Sequence, residues 1–260
     1  MNPIPPLALV TGGMHRLGAA IAARLAAAGY ALALHKHHAR DPDPVLAAAL
    51  AQHGTDWQRF RADLADAEEV AGLVPRVIAH FGRTPDLLVN NAALFAEGGW
   101  EALTAADLAR MTAVNFHAPV LLAQALVGAS PENSQPAIVN IVDQRVANPV
   151  PDQLAYSLGK GALFQATRTL AVAFGPRARV NAVAPGLTIV TDDYTPGQAD
   201  RLAARMPLGR LPTPTDVADA VLYLANARST TGQTLFIDGG ASLAPLGRDF
   251  VFLERDPSDH

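Results

Sequence analysis

Cysteine is absent from this 260-residue chain, which excludes disulfides and thiolate-held metals. Charge is sparse: Asp, Glu, Lys and Arg make up 17 %, and the net charge of -4 leaves no basic excess such as a general nucleic-acid binder carries. No uninterrupted apolar run reaches the roughly 18 residues of a bilayer span. The opening MNPIPPLALVTGG places no basic segment ahead of its apolar stretch, so no secretory leader is expected. These absences predict a cytoplasmic protein with neither nucleic acid nor membrane as partner. Half of the residues are hydrophobic, which at this length supports one large α/β domain or two small ones.

Strand-like and helix-like segments alternate along the chain. Strands are expected at Leu7–Val10, Ala31–His35, Trp57–Arg61, Leu87–Asn90, Ala137–Val142, Arg179–Ala184 and Thr234–Ile237. Helices are expected at Leu17–Ala28, Pro44–Gln52, Ala67–Phe81, Ala105–Leu126, Ala155–Phe174 and Pro214–Leu224. Strands such as LALV and LLVN are apolar throughout, as in a parallel sheet covered on both faces. No linker or repeat interrupts the pattern. Residues 1–260 are therefore read as a single-domain α/β Rossmann fold, a doubly wound seven-stranded parallel sheet with helices on both faces. The segment 188–211, rich in proline, glycine and charge, is a candidate substrate lid, and 243–260 form a C-terminal tail.

The turn VTGGMHRLG sets Gly12, Gly13 and Gly18 between the first strand and the first helix. Glycines there admit a tight turn and let backbone N–H groups approach a pyrophosphate that the helix N-terminus also attracts. The spacing is not the common G-x-G-x-x-G, so the turn by itself leaves a plain strand–helix connection open. Arg16 inside it offers a charge to phosphate or substrate, or to solvent.

The second strand ends in LHKHHARD. In this fold an Asp or Glu at that tip accepts from the ribose hydroxyls of NAD, whereas cationic groups serve NADP. Here His35, Lys36, His37 and His38 precede Arg40, and the first acid is Asp41. The cluster reads as a grip on the 2′-phosphate of NADPH. Metal binding by His35 and His37 and simple solvation are the rival readings, and no third ligand follows nearby.

AYSLGKGAL carries Tyr156 and Lys160 four residues apart, on one helical face. A lysine ammonium near a phenol favours the phenolate and makes the tyrosine a usable acid/base. Together with the glycine turn, NNAA at 90–93, Asn115 and the Pro185–Gly186 pair, this pattern resembles the short-chain dehydrogenase/reductase family, from TGGMHRLG to TGQTLFIDGG. The resemblance implies that Asn115, Tyr156 and Lys160 are catalytic. It implies a cofactor-binding set of Gly12, His15, Arg16 and Leu17 in the turn, Asp63 and Leu64 near adenine, Asn90 and Ala92, and Pro185, Gly186 and Thr188 beside the nicotinamide. It also implies a homotetramer built on the helices that hold Asn115 and Tyr156.

One position departs from the family. Its catalytic serine stands thirteen residues before the tyrosine, where this chain has Asp143. A hydroxyl donates to a carbonyl oxygen; a carboxylate only accepts. An ordinary ketone is poorly polarised by it, while a substrate with N–H groups is suited. An aspartate there resembles the pteridine reductase and dihydromonapterin reductase branch, as do the histidine-rich strand end, Arg16, and Phe95 in NNAALF. By that resemblance Arg16, Phe95, Asp143, Tyr156 and Leu187 bind a pterin-like substrate. The activity implied is NADPH-dependent reduction of a C=N bond, dihydropterin to tetrahydropterin, with no metal. Ala93 and Leu94, and the long tail, depart from that branch. A carbonyl reductase or alcohol dehydrogenase, and a catalytically weak NADPH-binding sensor, are the alternatives.

Overall fold

A computed structural model describes residues 4–38, 41–95 and 98–255. Arg40 and the last five residues of the tail lie outside the described residues. Seven strands make one sheet: β1 (Leu7–Val10), β2 (Ala31–Lys36), β3 (Trp57–Arg61), β4 (Leu87–Asn90), β5 (Ala137–Ile141), β6 (Arg179–Pro185) and β7 (Thr234–Ile237). Their order is β3-β2-β1-β4-β5-β6-β7 and every pairing is parallel. The domain is thus a single Rossmann fold.

Alternation along β1 shows how the core is divided. Ala8 and Val10 face α1 (Arg16–Ala27), α2 (Pro44–His53) and α8 (Pro214–Asn226), where Ile21, Leu25, Leu46 and Val221 are buried. Leu7 and Leu9 face α3 (Ala67–Phe81), α5 (Ala118–Ala129) and α6 (Leu154–Phe174), against Leu73, Val77 and Leu122. Side chains of a strand point alternately to its two faces, and both faces of β1 are covered, which is why it is apolar at every position. The order in which successive strands are added reverses between β1 and β4, so a crevice opens at the carboxyl ends of these two parallel strands.

Two local differences from the sequence expectation bear on the site. The helix expected over 105–126 is α4 (Ala105–Thr112), a π turn over Ala113–His117 and α5. Taken together, Ala105–Ala129 is long and apolar enough by composition to resemble a membrane span, although Asp107, Arg110, Asn115 and His117 interrupt any apolar run. Its most apolar part is half buried, with α5 packed on α3 and α4 on α6. The segment 188–211 is not wholly irregular: it contains α7 (Gln198–Arg205). Leu202 and Met206 of α7 and its exit pack with Leu187, Ala241 and Phe250 in a small separate core. Its flanking prolines and glycines hide that short amphipathic pattern in the sequence.

Candidate active site

The glycine turn is shaped by contacts that leave no room for side chains. Gly12 has φ +61°, the left-handed region that glycine tolerates best. A Cβ on Gly18 would meet the Gly12 carbonyl oxygen at 2.1 Å. Thr11 Oγ1 accepts from the backbone N–H groups of Asn91 and Ala92, and Asn91 Nδ2 donates to the Thr11 carbonyl at 2.9 Å. The segment after β4 is therefore braced against the turn. Asn91 and Ala92 line the crevice, whereas the Asn90 side chain turns inward and donates to Asn140 Oδ1. A shift of one residue along a strand exchanges faces, so the assignment to Asn90 moves to Asn91.

Asp43, which precedes α2, clamps the turn from the other side. Its carboxylate accepts from His15 Nδ1 at 2.8 Å and from the Arg16 backbone N–H at 2.6 Å. Burial opposes ionisation of Asp43, but these two hydrogen bonds outweigh it and hold its pKa below the usual range. Arg16 is exposed, takes φ +51° and lines the crevice with Leu17. His15 Nε2 is buried there without a hydrogen-bond partner among the described residues. An unfilled position beside glycines too crowded for a Cβ fits the pyrophosphate of a dinucleotide.

His35 does not belong to the cationic cluster. Its ring is buried; Nδ1 accepts from the Gly12 N–H at 3.1 Å and Nε2 donates to the Ala62 carbonyl at 3.0 Å. Burial lowers its pKa to about 4, so the ring is neutral and props the glycine turn. With both nitrogens occupied it offers nothing to a metal. His37 Nε2 lies 3.6 Å from Asp63 Oδ2 and its ring sits 4.1 Å from that of His38. Lys36 is half-buried at the end of β2. The strand tip therefore presents Lys36, His38 and a His37 shared with Asp63. Leu64 points away, into the core against α3 and α5.

Across the crevice of about 440 Å³ stand the reactive groups. The π turn carries Asn115, which is fully buried; its amide donates to the Leu94 carbonyl and accepts from the Leu94 N–H, both at 2.9 Å. Leu94 thereby holds the strand exit that leads to Phe95. The Phe95 ring lies edge-on to Tyr156 at 5.0 Å between centroids and is more than half exposed. Tyr156 Oη donates to Asp143 Oδ2 at 2.9 Å. Lys160 Nζ donates to the Ile141 carbonyl at 2.7 Å and sits 5.7 Å from the Tyr156 ring. Burial pushes the Tyr156 phenol well up, Asp143 adds to that rise, and the Arg145 charge opposes it. Burial lowers Lys160 to about 8. Pro185, Gly186 and Thr188 line the same crevice. The Leu187 side chain instead enters the small core under α7, which corrects its assignment to substrate.

Two charged residues of this region were not singled out by the sequence. Arg145 is buried in the 3-10 turn Gln144–Val146 that Asp143 caps. Its Nε donates to Asp143 Oδ1 at 3.2 Å, and its Nη2 pairs with Asp249 of the tail. Asp249 lies 104 residues away along the chain, so no local pattern announces the pair; the clue is only an arginine two residues from the substituted position.

Comparison with known proteins agrees with this geometry. A family model described as enoyl-(acyl carrier protein) reductase matches residues 13–242. Pteridine reductase 1 of Leishmania tarentolae is 32 % identical over 93 % of this chain and 98 % of its own length. Subunit BbsD of (2S)-[(R)-hydroxy(phenyl)methyl]succinyl-CoA dehydrogenase from Thauera aromatica is 34 % identical over 91 % of this chain and 96 % of its own. Among solved structures, FolM alternative dihydrofolate reductase 1 from Brucella canis, complexed with NADP, is 40 % identical with a TM-score of 0.84, covering 92 % of this chain and 95 % of that one. A glycine turn, a Tyr156–Lys160 pair and a matching model over nearly the whole chain place this protein in the short-chain dehydrogenase/reductase family.

Proposed function

We propose that this reductase uses NADPH to reduce a C=N bond in a pterin-like ring, dihydropterin to tetrahydropterin. The observation that carries the reading is Asp143, a carboxylate hydrogen-bonded to the reactive Tyr156 where the family places a hydroxyl donor. A carboxylate accepts but does not donate. It suits the N–H groups of a pteridine and does nothing to polarise a lone carbonyl. Relatives named pteridine reductase and FolM alternative dihydrofolate reductase support the same substrate class.

The residues divide the work as follows. NADPH, when bound, would supply the hydride that the ring carbon takes up. The turn at Gly12–Gly18 would hold the dinucleotide backbone, and Lys36 with His38 would attract its 2′-phosphate. Phe95 offers an aromatic face or edge to the ring, and Arg16 borders the same space. Tyr156 gives its proton to the ring nitrogen; Lys160, positively charged below about pH 8, stabilises the phenolate left behind. Asp143 accepts from the Tyr156 hydroxyl when no substrate is bound, and that hydrogen bond gives way to the ring nitrogen as the proton is transferred. The test is NADPH oxidation against dihydropterins, dihydrofolate, ketones and quinones. Turnover led by the dihydropterins is expected. Turnover of ketones with none of the reduced pteridines would overturn the reading.

A further inference from the structure

The guanidinium of Arg145 is 6 % exposed, yet every face of it is engaged. Nε donates to Asp143; Nη1 donates to Gln153 Oε1 at 3.0 Å and reaches Ser157 Oγ at 3.4 Å; Nη2 pairs with Asp249. Its central carbon sits 5.0 Å from the centre of the Tyr156 ring. The charge is thus shared between the carboxylate that accepts from Tyr156 and one brought in by the C-terminal tail.

The tail is fastened at several points. The Asp249 N–H donates to Asp152 Oδ2 at 2.7 Å, and Arg248 Nε donates to both oxygens of the same carboxylate. From α7, Gln198 Nε2 donates to the carbonyls of Phe250 and Leu253, and Arg201 Nε donates to that of Glu254. Phe250 is buried in the small core with Leu187 and Leu202. Tail and lid helix form one unit whose charged contact with the reactive groups runs through Asp249 and Arg145.

We propose that Arg145 is a positioning residue of the reduction site, tuning Tyr156 by its charge, and that Asp249 of the chain's own tail sets how much of that charge the tyrosine feels. The proposal rests on Tyr156 being the acid and not on which ring is reduced. Charged groups face Tyr156 from every side: Asp143 and Arg145 from the loop after β5, Lys160 from its own helix, and Asp249 from the tail. The Asp152–Arg248 pair and Tyr194 with Asp193 of the lid stand a layer further out. A nearby cation favours the phenolate and disfavours the ammonium of Lys160; an anion does the reverse. Removing the Arg145 charge therefore moves both groups to higher pH, and removing the Asp249 charge moves both to lower pH. A merely structural role has no such opposition of sign.

The experiment is the pH dependence of kcat/KM for Arg145→Met, Arg145→Lys and Asp249→Asn, using whichever substrate of the panel the wild type turns over best, a ketone included. Failure of the pterin reading thus leaves this test intact. NADPH binding, followed by fluorescence, shows that each variant is folded. The alkaline limb should move up by at least ~0.5 pH units in Arg145→Met, move down by a similar amount in Asp249→Asn, and stay near wild type in Arg145→Lys. At neutral pH, Arg145→Met should lose ~10-fold or more in kcat. If Arg145→Met does not fold, Asp249→Asn must still shift downward with Arg145→Lys unmoved. Limbs that stay together in the variants, or that shift in one direction for both neutral substitutions, would overturn the proposal.

Discussion

Acid should weaken this protein through a single buried ring. His35 is 2 % exposed, and burial lowers its pKa from 6.5 to about 4. Its neutral form accepts from Gly12 and donates to Ala62, so a proton on Nδ1 would set two donors against each other. Because the folded pKa is depressed, the stabilisation is fully present above about pH 6.5 and is lost as pH falls toward 4. Each unit of difference is worth about 1.4 kcal/mol, giving roughly 3 kcal/mol over the whole window and about 2 kcal/mol by pH 5. Other histidines titrate as well, and a comparison with His35→Gln cancels them, since the amide can replace one or both hydrogen bonds without titrating. Urea unfolding of both proteins at pH 7 and pH 5 measures the gap. Wild type should lose about 2 kcal/mol more than the variant between those two conditions. A gap that stays constant within error would show that the ring is not a buried neutral prop, and that the glycine turn is held some other way.

Cofactor choice should follow the end of β2: Lys36→Ala should weaken NADPH binding by about tenfold, a loss of ~1.4 kcal/mol, with NADH binding nearly unchanged in parallel titrations. Exchanging the accepting carboxylate for a donor, Asp143→Ser, should raise ketone turnover relative to dihydropterin, read as the ratio of the two kcat/KM values. Reduction should decline as pH rises through about 8, where Lys160 loses the charge that supports the Tyr156 phenolate; rates collected from pH 6 to pH 10 locate that limb. A homotetramer is proposed from the apolar hollow along α5, lined by Leu64, Phe116, Val120 and Leu121, and from Val172 standing exposed on α6. Light scattering at micromolar concentration should then give four times the 27.2 kDa chain mass.

Legibility in the sequence followed the range over which each feature is encoded. Strands β1, β4 and β5 are apolar at nearly every position and the helices between them periodic, so the sheet was readable from local pattern. Tyr156 and Lys160 share one helical turn and Asp143 a fixed offset, so they too were readable. The π turn at Ala113–His117 was not, because nothing in AVNFH breaks a helix; it coincides with the hydrogen bonds of Asn115 to the Leu94 backbone, a contact between residues distant in the sequence. His35 reads as one cation among four until burial shows it to be neutral. Asn90 and Asn91 are distinguished only by the alternation of strand faces. Leu64 and Leu187 were drawn to the site by their neighbours, although both side chains serve hydrophobic cores. Arg145 and Asp249 meet across 104 residues of sequence, beyond the reach of any motif.

The π turn does more than aim one asparagine. An inserted residue in a helix advances the side-chain pattern by about 100°. The stretch before it therefore addresses α6, and the stretch after it addresses α3. The rod as a whole thus meets two neighbours, α6 chiefly before the turn and α3 chiefly after it. Removing a single residue from AVNFH would restore an ordinary helix and put those two seams out of phase. Asn115 would leave Leu94, and Leu94 would release the segment that carries Phe95. The spacing of this helix is in that sense a length standard: it couples how the domain packs to where the aromatic ring stands, through a count of residues and not through their chemistry.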